Sequence, residues 1–160
     1  SYPFGEYSLE FKNIIKSLGF KYALGKHSGV LDETKDFYEL SRFPINEKYG
    51  EIKRFNSLTK TLPFKYKEII PNEKYLTQNK NPPKVKISFY ENISNLKSLN
   101  CYSNEGNKWR KSDIKFENDF TLNININEKF VGERGRINCS LRDQTGFWRW
   151  LGIQFVIGEK

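Results

Sequence analysis

Between Phe120 and Ile126 every second residue is apolar: Phe120, Leu122, Ile124 and Ile126, with Thr and Asn between them. A period of two puts successive side chains on opposite faces of an extended strand, so one face is offered to a core. The same alternation recurs in Val85, Ile87 and Phe89, in Leu99 and Cys101, and in Ile137, Cys139 and Leu141. A last aromatic-rich stretch holds Trp148, Trp150, Ile153, Phe155 and Ile157. Clusters of Asn, Gly and Asp separate these segments. The pattern predicts an antiparallel β-sandwich over residues 84–160.

The N-terminal part follows a different period. Ser8 is a candidate N-cap, and Phe11, Ile14, Ile15 and Leu18 recur at helical spacing before Gly19. Phe20 to Leu24 then reads as a short strand, which makes a helix-to-strand step of an α/β fold. Lys26-His27-Ser28-Gly29 is a polar loop beyond that strand, where α/β barrels place site residues. A second helix is predicted from about Glu51 to Leu62, with Ile52, Phe55, Leu58 and Leu62 on one face and Pro63 ending it. The Asn- and Pro-rich tract 71–83 reads as loop or linker. The expected fold class is α/β plus all-β, divided into residues 1–63, a linker at 64–83 and a sandwich at 84–160.

Composition narrows the function classes. Apolar residues make up 37% of the chain and aromatics 16%, which is core-forming material. The longest apolar stretch, near 147–157, is interrupted by Arg149 and Gln154, so no membrane span is expected. The net charge is +8, but Lys and Arg are dispersed among Asp and Glu. That distribution predicts a solvated basic surface and no nucleic-acid partner. The absence of Met leads to the expectation of a fragment or a truncated chain. Cys101 and Cys139 lie far apart in separate alternating segments, and two buried thiols or one disulfide both satisfy that placement.

Ser1-Tyr2-Pro3-Phe4-Gly5-Glu6-Tyr7-Ser8 is a Pro-aromatic-Gly turn opening a helix. It resembles the third motif of the polysaccharide deacetylase (NodB-homology) family. The order of Leu18-Gly19-Phe20, Ala23-Leu24-Gly25-Lys26-His27-Ser28-Gly29 and Arg42-Phe43-Pro44-Ile45-Asn46-Glu47 is similar to one branch of that family. Arg136-Ile137-Asn138-Cys139 and the Trp-rich end look like the β-domain that some members carry.

The resemblance implies a (β/α) barrel remnant followed by the sandwich, in a protein that hydrolyses acetyl groups on a polysaccharide, most often an N-acetylhexosamine polymer. The family holds a zinc-like divalent ion with one Asp and two His and uses a second Asp as general base. Those motifs precede the turn, so the metal ligands are expected upstream of Ser1 and none in this chain. His27 is the sole histidine, and an Asp-His-His site cannot be built from it. This chain alone is therefore expected to be inactive.

Carried over residue by residue, the backbone N–H of Phe4 would donate to the oxyanion, and Pro3 and Gly5 of the same turn would bind substrate. Ser1 stands where many members have Arg. Ser28, Arg42 and Asn46 would line the substrate groove. The family's histidine acid has no counterpart among residues 42–46, so another group would protonate the leaving amine or the branch handles the proton differently. His27 would contact sugar or serve as the acid, or it is a structural loop residue. An enzyme of exported polysaccharide works outside the cytoplasm, which favours a Cys101–Cys139 disulfide and a periplasmic, cell-envelope or secreted location. A second reading makes the β-domain a non-catalytic carbohydrate-binding module. In it Trp109, Trp148 and Trp150 would stack on sugars, and Tyr102 or Arg149 would bond their hydroxyls. Trp148 and Trp150 share one strand face, which is either a sugar platform or core, with core the commoner outcome.

Overall fold

The computed structural model describes residues 1–90 and 93–158. Its helices are α1 (Leu9–Ser17) and α2 (Ile52–Leu58). Its strands are β1 (Leu62–Pro63), β2 (Tyr66–Ile70), β3 (Tyr75–Leu76), β4 (Val85–Phe89), β5 (Asn100–Ser103), β6 (Arg110–Lys111), β7 (Asp113–Asn118), β8 (Thr121–Asn125), β9 (Arg134–Arg142) and β10 (Trp148–Ile157).

Two sheets result. One runs β2-β4-β8-β7, all antiparallel. The other runs β1-β10-β9-β5-β6, with β3 joining β10 as well. The short β1 and β3 pair in parallel with opposite ends of β10, at Arg149–Trp150 and Val156–Ile157. The period-two residues meet between the sheets. Val85, Ile87, Leu122 and Ile124 come from one sheet, and Ile137, Cys139, Leu141, Ile153 and Phe155 from the other, all buried. Each such side chain contributes roughly 1.5–3 kcal/mol through its burial. Phe120 departs from the expected alternation. It stands in the turn between β7 and β8 and is half exposed, so the inward set starts at Leu122.

Cys101 in β5 lies directly opposite Cys139 in β9, and the two form a buried disulfide. Residues 64–83 carry β2, β3 and a 3-10 turn (Gln78–Lys80). Within them Asn81 is buried and exchanges two hydrogen bonds with the Phe130 backbone, both 2.9 Å.

The expected barrel remnant over residues 1–63 is overturned. A parallel α/β core needs strands buried on both faces. Phe20 to Leu24 supplies instead a single bridge, Leu24 to Leu40, and leaves Phe20 and Tyr22 exposed. The segment forms an irregular layer. Helix α1 starts as expected, with the Ser8 side chain accepting from the Phe11 N–H. Its apolar residues Phe11 and Ile15 pack on a small cluster of Tyr2, Tyr7 and Ala23. Lys12 is buried and forms ion pairs with Asp36 and Glu39. The second helix is shorter than expected. None of its residues is buried, and Leu62–Pro63 leaves it to pair with β10. The residue before a proline disfavours the helical region, which stops α2 short of Leu62.

Candidate functional site

Strand β10 has two working faces. Leu151, Ile153 and Phe155 point into the sandwich, so by alternation Trp150, Gly152 and Gln154 belong to the opposite face. The N-terminal layer rests on that outer face. Gly152 is what lets it approach: a Cβ there would stand 2.3 Å from the Ser28 carbonyl oxygen. Gly29 bridges Leu151 next to it. The Trp150 indole N–H donates to Ser28 Oγ at 2.8 Å, and Ser28 Oγ donates to Asn138 Oδ1 at 3.0 Å. Arg42 N–H donates to the His27 carbonyl, and the Phe43 ring meets Trp150 edge-on at 6.1 Å.

These contacts bring the 26–29 loop and the 42–46 segment to one cleft of about 840 Å³. Its walls include His27, Ser28, Arg42, Asn46, Trp109 and Trp150. Arg54 closes one end by donating to the carbonyls of Pro44 and Tyr49, both at 2.9 Å. Four of the residues expected from sequence, His27, Ser28, Arg42 and Asn46, therefore share one cavity. Pro3, Phe4 and Gly5 are not on its walls. They form a 3-10 turn in which Phe4 has a left-handed φ of 54° and its residue is 75% exposed. Gly5 packs against Lys26, where a Cβ would meet the Lys26 Cβ at 2.3 Å, so the turn supports the loop from outside the cleft.

His27 also borders a second, more polar cavity of about 410 Å³, together with Tyr7, Glu39, Tyr66, Lys74 and Gln154. Burial raises the hydroxyl pKa of Tyr7 and Tyr66 and lowers that of the Lys74 ammonium. Burial likewise pushes the His27 pKa down to about 4, with Lys74 acting in the same direction and Glu39 against it. His27 is thus neutral at pH 7, able to hydrogen-bond but carrying no proton to spare for a leaving group.

A folded-state pKa below the unfolded one makes His27 stabilising above about pH 6.5. That stability drains away as pH falls through 6.5 towards 4, because the unfolded chain takes up the proton first. With allowance for the ring's partial exposure, we expect a loss of about 2 kcal/mol across this window. His27→Gln should flatten the slope in urea melts at pH 7, 6, 5 and 4.5. An unchanged slope in that variant would assign the loss to other groups.

Among the described residues, no three His, Cys, Asp or Glu side chains are grouped so as to hold a metal ion. The zinc-like ion that the resemblance implies thus has no three-ligand set among the described residues. Trp150, Arg136 and Asn138 complete the cleft. Parity was the available signal for Trp150, since the inward-facing Leu151, Ile153 and Phe155 hold odd positions and Trp150 is even. Trp148 is half exposed at the start of the strand and is not on the cleft wall.

The fold is a two-sheet β-sandwich carrying a docked N-terminal layer. No family model matches the chain, and no curated protein matches it at a significant level.

Proposed function

We propose that this chain is the saccharide-facing part of a protein that removes acetyl groups from a polysaccharide, with the cleft between the N-terminal layer and β10 as its sugar-contacting surface. One observation carries the reading. Two of the segments that take part in the sequence resemblance, 26–29 and 42–46, converge on a single cleft beside Trp109 and Trp150, while the Pro3–Gly5 turn stands outside it. Such a surface joins apolar ring faces to hydroxyl-bonding groups, here Ser28, Asn46 and Asn138, as sugar recognition requires. The hydrolytic chemistry, with its zinc-like ion, belongs in this reading to residues N-terminal to Ser1. The disulfide supports work in an oxidising compartment outside the cytoplasm. Among the described residues no helix is long and apolar enough to cross a membrane.

The sequence test is direct: the reading requires an Asp-Asp pair and an HxxxH motif ahead of Ser1, and a coding sequence without them overturns it. The binding test follows Trp fluorescence of this chain with N-acetylhexosamine oligomers. We expect Trp150→Ala to weaken binding about tenfold and Trp148→Ala to leave it unchanged. Equal effects of the two substitutions would move the sugar site to the exposed end of β10. That result would favour the plain carbohydrate-binding module, for which the half-exposed Trp148 and Trp109 are the supporting observation.

A further inference from the structure

The cleft is electrostatically one-sided. Lys26, Arg42, Arg54 and Arg136 line it, and no Asp or Glu does. At the chain's ratio of 27 cations to 19 carboxylates, four cations would ordinarily be accompanied by about three acids. Elsewhere the surface follows that mixture. Lys86 pairs with Glu117, Arg110 with Glu128 and Arg134 with Glu6. Among the described residues, none of the four cleft cations has a carboxylate within ion-pair distance, although Glu47 and Glu51 lie in the same stretch of chain. Arg54 satisfies itself on backbone carbonyls, and Arg136 projects from β9 beside Asn138. Three of the four cations are arginines, whose planar donor fork matches carboxylate and sulfate oxygens.

We infer that the cleft selects an acidic saccharide, one whose rings carry carboxylate or sulfate groups alongside the acetylated positions. This rests on the saccharide reading above and narrows its substrate class. The aromatic residues and the neutral amides contact the rings, while Arg42 and Arg136 hold the anionic substituents. Like-charged walls without a partner repel one another, and the ligand relieves that repulsion.

The test titrates the full 160-residue chain with an oligouronate, a sulfated oligosaccharide, a neutral N-acetylhexosamine oligomer and a single-stranded oligonucleotide, each at 50 and 300 mM NaCl. We expect at least one acidic saccharide to bind tenfold or more tighter than the neutral oligomer, and to weaken at high salt. The better of the two acidic arms identifies the anionic group. Arg42→Gln and Arg136→Gln should each cost about tenfold, while Arg110→Gln, outside the cleft, should cost nothing. Matching melting temperatures would show that the variants fold alike. Equal, salt-independent binding of neutral and acidic oligomers overturns this inference and leaves the saccharide reading standing. Binding of the oligonucleotide alone, or of no ligand, overturns both.

Discussion

Replacing Cys101 and Cys139 together by Ala should lower the stability of the chain by about 4 kcal/mol, the loop-closure value for a cross-link spanning some 38 residues. The loop it closes has structural meaning. Between the two cysteines the chain leaves the sheet of β5 and β6, crosses to the other sheet to make β7 and β8, and returns as β9. The disulfide therefore ties the ends of an excursion across the sandwich. Without it the unfolded chain regains the freedom of that whole segment. Thermal melts with and without reductant check the figure, with a drop on the order of 10 °C expected for a chain of this size. Coincident melts, or two free thiols titrated under denaturing, non-reducing conditions, would show that the bond contributes nothing.

The second large effect is expected at Gly152. Gly152→Val places a branched side chain where the Ser28 backbone now lies, with the nearest atoms at 2.3 and 2.8 Å. These are main-chain atoms, which cannot swing aside as the tip of a long side chain can. Either the 26–29 loop lifts from the strand or β10 bends out of its register with β9. We expect a loss of about 3 kcal/mol, at the upper end for inserting bulk at a packed contact. The saccharide affinity should disappear with it, because His27, Ser28 and Arg42 leave Trp150 together. Trp148→Val, at the half-exposed start of the same strand, is the comparison and should retain binding. A Gly152→Val protein that binds like the parent would mean that the loop does not owe its position to this contact.

The sandwich is legible in the sequence and the layer that rests on it is not, for a physical reason. In β4, β8 and β9 one face is core and the other is not, so period two is written directly in Val85-Ile87-Phe89 and Ile137-Cys139-Leu141. Strand β7, Asp-Ile-Lys-Phe-Glu-Asn, lies at a sheet edge with only Ile114 and Phe116 apolar, and its charges hid it. Residues 20–24 have strand-like composition, but a strand exists only if a partner edge is available. Here the nearest backbone offers one bridge at Leu40. Local preference lost to tertiary placement. The cleft was half legible. His27, Ser28, Arg42 and Asn46 were expected from motif order, whereas Arg136 and Asn138 sit 90 or more positions away and reach the cleft only through the pairing of β9 with β10.

That long reach has a consequence in time. Ser28 and Trp150, which bond to each other in the cleft wall, are 122 residues apart, and β10 is synthesised after the other described strands. At roughly 5–20 residues per second, the N-terminal layer leaves the ribosome on the order of ten seconds before the strand it rests on exists. In that interval Gly29 and Phe43 have no strand to lie against. Strands β1 and β3, whose ladder partner is also β10, wait with them. Contacts this distant in sequence make for slow closure. The sandwich's β4–β8 ladder can form while β10 is still being made, whereas the cleft has to wait for β10.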